Sequence, residues 1–551
     1  MIIIPPRRWI SLLAVLAILT LALPQTVPLR AAPIRVLIHG SDIPTSQAAV
    51  EAAGGSVVTT MPHSQVLLAD VSPTAIEALR AAGLGVTPDT MVGVAATMDP
   101  VTDAPTTLLY PSQAIGADVL QQNGLSGAGV TVAVLDSGMP PLDSPDQWTR
   151  ITTNTLAYGV GHGAVADPPM AGPPATPWFV VYKDLVAGAP ITNSVDPYGH
   201  GTHVLATLAD GRKARGSAFS KATVGIAPAA SLVVIRALDA DGRSPYSRMI
   251  EAIEWVITHK DTLNIRVLNL SIQADVYGPY WFDPLNQAVM AAWDAGITVV
   301  VAAGNTGPRP ATITVPGNVP YVITVGALKP GIYTENGVDA LGQYSSAGPT
   351  ESKFIKPDAV IAGSRVIAPL PATSVLAPQA GLMREKAKLE LPRFKSAVDL
   401  NYYALSGTSM AAAETSGLVA LLLQDEPGLT NNQVKYRLTA TAQVLTDSAG
   451  NAAYSVWQQG AGRLTPPALI SGTTTASANA GMALAEDRNH DTGTHYLGMT
   501  EYLTDTNAFR YPDPVVALSG YNSWAGGYNS WAGGYNSWAG GYNSWAGGYN
   551  S

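Results

Sequence analysis

Val130–Leu135 reads VTVAVL, a short run with one polar side chain, and Asp136 follows it at once. Further short, largely apolar runs recur downstream: Leu232–Ala237 (LVVIRA), Val267–Leu270 (VLNL), Thr298–Ala303 (TVVVAA) and Val322–Ala327 (VITVGA). Strands that are apolar on both faces belong in parallel sheets that helices cover on both sides. These runs therefore predict the strands of one buried parallel sheet.

Helix-like stretches separate these runs. Tyr246–His259 carries isoleucines on one helical face, and Leu285–Ala295 and Gly417–Gln424 are further apolar segments. Alternating strands and helices predict an α/β fold built on a doubly wound parallel sheet. In such a sheet the functional residues lie at the carboxyl ends of the strands.

The composition limits the chemistry that the chain can perform. Its 551 residues include no cysteine, which excludes disulfides, zinc–thiolate sites and a cysteine nucleophile. Charged residues make up only 13%, and the net charge of -9 gives no general attraction to nucleic acid or anionic membranes. We therefore expect chemistry based on oxygen and nitrogen side chains, and no nucleic-acid partner.

The N-terminus has the features of an export signal. Two arginines precede the uncharged apolar run Ile10–Leu23, and the small pair Ala31-Ala32 follows. This order predicts residues 1–32 as a secretory signal peptide and the mature protein as secreted, with no stable membrane span after signal removal. A retained N-terminal anchor is the alternative, although the run is short for a membrane span.

A separate alternation of strands and helices precedes the main sheet, from Ile34 to about Pro88. Its strands are predicted at Ile34–His39, Ser56–Met61, Ser64–Ala69 and Leu84–Val86, and its helices at Thr45–Ala53 and after Ser72. The order βαββαβ predicts a small ferredoxin-like α+β module. Such a fold assigns no function by itself.

Four polar side chains stand where predicted strands end or helices begin. Asp136 closes the first strand, and Asn305 follows the run at Thr298–Ala303. His200 lies in the motif YGHGTH, and Ser409 lies in SGTSMAA, each ahead of an apolar helical run. A serine nucleophile needs a base within reach, the base needs a carboxylate to orient it, and an amide donor can stabilise the oxyanion. The chain therefore has every part of a serine hydrolase site.

These motifs, in this order, resemble those of the subtilisin-like serine proteases, the subtilase family, from about Ser126 to Leu464. The resemblance implies a secreted endopeptidase that cleaves protein or peptide substrates through an acyl-enzyme. It implies that Asp136 orients the imidazole and that His200 is the general base and acid. By the same resemblance, Ser409 is the nucleophile and Asn305 helps to form the oxyanion hole.

The resemblance also implies a primary specificity pocket. Its walls are predicted at Ser271, Ile272, Gln273, Ala302, Ala303 and Gly304, with Thr314 near the base. Many relatives have glycine where this chain has Thr314, so we expect small or medium apolar side chains to be favoured there. Structural calcium is common in the family, but no acidic loop identifies a site, and we predict no metal-binding residue.

By the same resemblance, the N-terminal module corresponds to the family's propeptide, which acts as an intramolecular chaperone and inhibitor. We therefore expect a propeptide at 33–105, a catalytic domain at 106–470 and a linker at 471–520. The segment Asp89–Tyr110 has no helical or strand period, so we expect it to thread the cleft as a first substrate. This predicts a new N-terminus between residues 90 and 110.

Several residues depart from the family pattern. Ala413 replaces a proline after the nucleophile, and Glu414 stands where a histidine is common. Leu205-Ala206 replaces the usual alanine and glycine of the histidine motif, and Gln273 stands at a position that is usually glycine. Because that last segment pairs with extended substrate in the family, we expect Gln273 to narrow or re-aim the cleft.

Other interpretations of the sequence remain open. His203, three positions after His200, could form a metal site with it, and EDRNHDTGTH at Glu486–His495 could bind a cation or be an exposed acidic linker. A catalytically inactive, subtilase-like surface or binding protein is the alternative to a protease. An α/β-hydrolase esterase is disfavoured, because Ser409 lacks the second glycine of G-x-S-x-G and the chain order differs.

The C-terminus, 521–551, repeats YNSWAGG every seven residues. Two glycines and an Asn-Ser pair in each unit oppose a helix, which argues against a coiled coil. The regular tyrosines and tryptophans can stack on one another or on a carbohydrate surface, and a flexible low-complexity tail fits the pattern equally well. We assign the repeats no catalytic role.

Overall fold

The computed structural model describes residues 32–96, 110–142, 149–152, 155–159, 178–187, 190–214, 218–219, 221–387, 400–489, 495–503, 508–510, 528–530 and 535–539. The signal predicted at 1–32 lies outside these ranges except for its last residue, and so does most of the repeat region. Among the described residues, no helix is long and apolar enough to cross a membrane.

The N-terminal module is a four-stranded antiparallel sheet with two helices. Its elements are, in chain order, β1 (Ile34–His39), α1 (Ile43–Ala52), β2 (Ser56–Met61), β3 (Val66–Val71), α2 (Pro73–Ala81) and β4 (Gly85–Pro88). The sheet order is β2-β3-β1-β4. Asp42 and Ser72 begin the helices, because each side chain accepts a backbone N–H of the first turn. Val50 and Leu79 then pack with Leu67 in one small core.

The main sheet is built from the apolar runs. The strands that follow the module are β5 (Met91–Val94), β6 (Thr131–Asp136), β7 (Thr149–Thr152), β8 (Thr155–Gly159), β9 (Phe179–Asp184), β10 (Ser231–Arg236), β11 (Arg243–Pro245), β12 (Ile265–Leu270), β13 (Ile272–Gln273), β14 (Thr298–Ala302), β15 (Ile323–Lys329), β16 (Ala340–Leu341), β17 (Ala359–Ala362), β18 (Val366–Pro371), β19 (Gly381–Ala387) and β20 (Leu400–Leu405). The main sheet has the order β16-β15-β14-β12-β6-β10-β9-β8-β7, and β17 pairs with β15. From β9 to β15, and on to β17, neighbouring strands run parallel.

Helices cover this sheet. They are α3 (Pro111–Ile115), α4 (Ala117–Gln122), α5 (His200–Ala209), α6 (Tyr246–His259), α7 (Pro284–Asp294), α8 (Thr408–Asp425), α9 (Asn431–Thr441), α10 (Val456–Gln459), α11 (Pro466–Ser471) and α12 (Leu484–Arg488). α5 packs with α8 and α6 packs with α7, and all four helices contact the sheet. A mostly parallel sheet under helices confirms the predicted doubly wound α/β fold class.

Smaller sheets complete the fold. β5, which follows the N-terminal module, lies between β11 and β13 and is antiparallel to both. β18, β20 and β19 form another antiparallel sheet. Near the C-terminus, β21 (Glu501–Leu503) pairs with β22 (Ala508–Arg510), and within the repeats β23 (Tyr528–Ser530) pairs with β24 (Tyr535–Ala539).

The segment 471–520, predicted as a linker, packs on the main core over much of its described part. Ala478 and Met499 belong to that core, and the carboxylate of Asp487 is completely buried. The Trp457 indole N–H also donates to the Thr500 hydroxyl at 3.0 Å. The stretch is rich in small and polar residues and has no hydrophobic period, so its sequence pattern gave no sign of this packing.

Candidate active site

A buried hydrogen bond joins Asp136 to His200. Asp136 ends β6 and His200 begins α5, so the carboxyl end of a central strand meets the first turn of a helix. His200 Nδ1 lies 2.8 Å from Asp136 Oδ1 and 3.0 Å from Oδ2, and both side chains are fully buried. When Nδ1–H donates to the carboxylate, Nε2 is left as the proton acceptor of the ring.

A second buried carboxylate, that of Asp196, fixes the turn that carries His200. It accepts the backbone N–H groups of Gly199 and Thr202, each at 2.7 Å, and the hydroxyls of Thr202 and Ser137 at 2.6 and 2.8 Å. Burial raises the pKa of Asp196, and these hydrogen bonds oppose that shift. Asp196 was not among the predicted site residues, although it stands shortly before the histidine motif and could have been recognised from that position.

Ser409 lies at the start of α8 and is fully buried. Its hydroxyl donates to the Ser271 carbonyl at 3.1 Å, and the Ser271 hydroxyl donates to the Ser409 carbonyl at 3.0 Å. Leu270, which precedes Ser271, pairs with Leu135, which precedes Asp136. The sheet therefore brings Ser409 to the edge at which Asp136 ends.

Ser409 and His200 do not form the hydrogen bond that the resemblance implies. The Ser409 hydroxyl is directed to Ser271, and His200 Nε2 has no hydrogen-bond partner within the described ranges. Hydrogen bonds between catalytic groups often become short and aligned only in the productive complex. The site therefore contains His200 Nε2 as an acceptor and the Ser409 hydroxyl as a donor, without a hydrogen bond between them in this structure.

Asn305 follows β14, and its side-chain amide is oriented by Thr408. Asn305 Oδ1 accepts both the backbone N–H and the hydroxyl of Thr408, each at 3.0 Å. Asn305 Nδ2 is buried and has no partner among the residues described. The backbone N–H of Asn305 donates to Gln273 Oε1 at 2.8 Å. With its oxygen occupied, the amide presents a free donor, which is what a developing oxyanion requires.

The chain's own residues 91–96 extend into this site. β5 pairs with β13 so that Gly93 lies opposite Gln273. The N–H of Ala95 donates to the Ser271 carbonyl at 3.1 Å, and the carbonyl of Ala95 accepts the Ser409 N–H at 3.0 Å. The same carbonyl oxygen and Asn305 Nδ2 lie 2.6 and 3.3 Å from the place that a Cβ of residue 407 would occupy. Glycine at 407 thus leaves room for the Ala95 carbonyl beside the Ser409 N–H and Asn305 Nδ2.

The predicted pocket residues Ser271, Ile272 and Gln273 pair with the segment that ends at Ala95, through the Ala95–Ser271 hydrogen bond and the β5–β13 pairing. Among the predicted pocket residues, Ser271, Ile272, Ala302, Ala303 and Gly304 are buried, and Gln273 is half-buried. The Ala303 carbonyl accepts the N–H and the hydroxyl of Thr314 at 3.1 and 3.2 Å. A Cβ on Gly304 would lie 2.6 Å from Thr314 Oγ1. Thr314 therefore occupies space directly beside Gly304, and Ala95 in the neighbouring segment is small and fully buried.

His203 lies one helical turn after His200 and forms a different set of contacts. Its Nε2 lies 3.1 Å from the Val366 carbonyl and 3.3 Å from the Tyr403 carbonyl, and the side chain is fully buried. Burial, together with the nearby His200, lowers the pKa of His203 to about 3. His203 is therefore a neutral, structural histidine that holds α5 against β18 and β20.

The described part of Glu486–His495, residues 486–489 and 495, is not a fully exposed linker, and residues 490–494 lie outside the described ranges. Asp487 is buried, and its carboxylate accepts the hydroxyls of Tyr280 and Tyr321 and lies 3.1 Å from His495 Nδ1. Across the described ranges, no group of three or more His, Asp or Glu side chains could hold a metal ion. Asp487 is thus a buried anchor for the C-terminal segment.

The fold and this geometry define a class of protein. A parallel α/β sheet that ends in a buried Asp–His pair, with a serine at the start of a facing helix and a free amide donor beside it, has the parts that serine hydrolases use.

Comparison with known proteins places the chain within that class. The sequence model of the subtilase family matches residues 127–462, so the chain belongs to the subtilase family. The chain is 32% identical to serine protease AprX of Bacillus subtilis over 331 residues, which are 59% of this chain and 64% of AprX. It is 30% identical to subtilisin E of the same organism over 341 residues, which are 62% of this chain and 67% of subtilisin E.

A solved structure supports the fold. Fervidolysin from Fervidobacterium pennivorans, described as a keratinolytic enzyme related to subtilisin, aligns with a TM-score of 0.55 at 21% identity. The alignment covers 81% of this chain and 62% of fervidolysin. The chain thus spans less than two thirds of the length of fervidolysin and of AprX.

The buried His203 predicts one contribution to stability that is lost in acid. In the unfolded chain His203 titrates near its ordinary value of 6.5, whereas its pKa in the folded protein is about 3. Below pH 6.5 the unfolded state therefore binds a proton at His203 that the folded state does not bind, and the contribution of His203 to stability falls by about 1.4 kcal/mol per pH unit until about pH 3. Urea unfolding of Ser409→Ala protein, chosen to prevent self-digestion, should show this contribution between pH 6.5 and 5 as a difference from the same protein carrying His203→Gln, because carboxyls with raised pKa values, among them Glu351 and Glu414, change the stability in the opposite direction. The difference should be about 2 kcal/mol, and equal changes in both proteins would contradict the assignment.

Proposed function

We propose that the chain is a secreted serine endopeptidase that is made as a zymogen and cleaves itself between Ala95 and Ala96. Asp136, His200 and Ser409 act as its catalytic triad, and Asn305 with the Ser409 N–H forms the oxyanion hole. Protein or peptide chains are the substrates, and the N-terminal module acts as the propeptide. Membership of the subtilase family supports the class of reaction.

The observation that carries the proposal is the position of the Ala95 carbonyl. This carbonyl accepts the Ser409 N–H at 3.0 Å, and the Ala95 N–H donates to the Ser271 carbonyl at 3.1 Å. Antiparallel pairing of β5 with β11 and β13 adds the extended backbone geometry through which a peptide binds to a sheet edge. A binding protein without catalysis has no need of an amide donor left free beside that carbonyl.

The proposed reaction is amide hydrolysis in two halves. Ser409 Oγ attacks the carbonyl carbon while His200 Nε2 takes the hydroxyl proton, and the tetrahedral oxyanion is held by Asn305 Nδ2–H and the Ser409 N–H. The C–N bond then breaks, and His200 gives its proton to the leaving amine. Water repeats the same steps on the acyl-enzyme, which releases the carboxylic acid and restores Ser409. Asp136 keeps the imidazole in the required tautomer throughout.

Contacts between the module and the rest of the chain support its role as a propeptide. The Glu254 carboxylate on α6 accepts the N–H of His63 at 3.0 Å and the N–H of Ser64 at 2.7 Å. The Asp89 carboxylate accepts the N–H and hydroxyl of Ser247, in the first turn of α6, at 2.8 and 2.7 Å. These contacts align the chain that leads into the cleft. We place the end of the propeptide at Ala95, which is N-terminal to the end at residue 105 that the sequence predicted.

Export and the role of the repeats rest on sequence alone. Residues 1–32 are proposed as the secretory signal, which places the mature enzyme outside the cell. The repeats at 521–551 are proposed to have no catalytic role.

Removing the amide donor of Asn305 should slow the chemical step. We expect Asn305→Ala to lower kcat roughly 100- to 1,000-fold with little change in KM, the magnitude known for loss of one oxyanion donor in subtilisin. Steady-state kinetics on a peptide amide would measure this, with Asn451→Ala as a control at an exposed asparagine. A folded Asn305→Ala protein with normal turnover would remove Asn305 from the oxyanion hole.

Replacing the nucleophile should stop maturation. We expect wild-type protein to acquire Ala96 as its N-terminus, and Ser409→Ala to accumulate uncut with the module attached. N-terminal sequencing of both proteins from a protease-deficient host decides this, since cleavage of Ser409→Ala at the same bond would mean that another protease does the work. Labelling with a fluorophosphonate, followed by peptide mapping, separates the enzyme from an inactive relative: the active enzyme is modified at Ser409 and the inactive protein is not.

The space taken by Thr314 should restrict the residue whose carbonyl is attacked. We expect small or medium apolar residues to be preferred at that substrate position, and Thr314→Gly to increase cleavage after Phe and Tyr. Cleavage-site profiling on a peptide library measures both. A dominant preference of the unaltered enzyme for Phe or Tyr would contradict this role of Thr314.

A further inference from the structure

Gln273 makes a contact that neither the family pattern nor the proposed triad explains. Its side-chain Oε1 accepts the backbone N–H of Asn305 at 2.8 Å. Its own backbone lies in β13, opposite Gly93 of the segment in the cleft. One residue thus touches the strand that a substrate would replace and the residue whose amide faces the attacked carbonyl.

The two ends of Asn305 are held by different residues. Thr408 engages the side-chain oxygen with two hydrogen bonds of 3.0 Å, which fixes the direction of the amide. Gln273 engages the backbone N–H, which fixes the position of the residue itself. Asn305 begins a bend directly after Gly304, whose φ of +108° lies in a region that glycine tolerates best. An external acceptor on the next residue therefore restrains an otherwise adaptable piece of backbone.

We propose that Gln273 is a positioning residue that holds Asn305 in the geometry for oxyanion stabilisation and couples this geometry to occupancy of the substrate strand. The inference rests on the proposed function. When a peptide pairs with β13, it orders the backbone of Gln273, and the side chain of Gln273 then holds Asn305 in place. Small misplacements of an oxyanion donor are costly, because its stabilising effect depends on distance and direction.

Gln273→Met tests this directly, because methionine is of similar length and has no carbonyl acceptor. We expect kcat to fall roughly 5- to 10-fold, the equivalent of one neutral hydrogen bond, with KM nearly unchanged. Gln379→Ala is the control for loss of an exposed glutamine that bonds only locally, and it should leave both constants unchanged. An unchanged kcat in Gln273→Met would overturn the inference.

A double-mutant cycle distinguishes action through Asn305 from a separate effect. If Gln273 acts by placing Asn305, then Asn305→Ala with Gln273→Met should be no slower than Asn305→Ala alone. Full multiplication of the two losses would overturn the inference and leave the proposed function intact. Normal turnover of Asn305→Ala itself would overturn both.

Substrate length gives a third readout that general destabilisation would not change. For the unaltered enzyme, kcat should rise when a peptide is lengthened to include the residue that pairs with Gln273. In Gln273→Met that rise should be largely lost, while the effect of length on KM should remain, because the backbone pairing with β13 is still available. An equal rise of kcat in both proteins would count against the coupling.

Discussion

The burial of α8 is the constraint on which the rest of the site depends. Every residue from Thr408 to Leu423 is buried, and the helix packs on β12, β14, β15 and β17 as well as on α5. The first turns of the helix carry the small residues Ala411, Ala412 and Ala413, all fully buried. Each fully buried leucine further along contributes about 2 kcal/mol. Packing of the whole helix therefore determines where its first turn presents Ser409 relative to Asp136 and Asn305.

The sequence predicted the individual residues of this site better than the long-range contacts between them. The position of Asp136 followed from the end of an apolar strand, and Ser409 and Asn305 followed from short motifs beside apolar runs, because such signals are local. The pairing of Gly93 with Gln273, the orientation of Asn305 by Thr408 and the packing of Asp487 against two tyrosines join segments far apart in the chain. Periodicity reports the face of an element, and it contains no information on which distant groups meet.

Glu414 shows how strongly the packing of α8 controls chemistry within it. Both carboxyl oxygens are buried and have no hydrogen-bond partner among the described residues, and burial raises the pKa of Glu414 well above its ordinary value, although Arg463 opposes that shift. An isolated buried charge is far more costly than a neutral acid, so the helix interior selects the protonated form. The departure from histidine at this position therefore places a neutral acid in the interior of α8.

In the proposed zymogen, cutting one bond does not by itself open the cleft. Hydrogen bonds join His63 and Ser64 to Glu254, and Asp89 to Ser247. Each of them links a residue N-terminal to Ala96 with α6, so none depends on the bond between Ala95 and Ala96. β5 also remains paired with β11 and β13, since none of those contacts uses the cleaved peptide group. The cleaved module is thus a reaction product that stays bound in the active site. In the proposed zymogen, free enzyme then forms when the module dissociates, unfolds or is itself degraded, so the stability of its small core contributes to how long inhibition lasts.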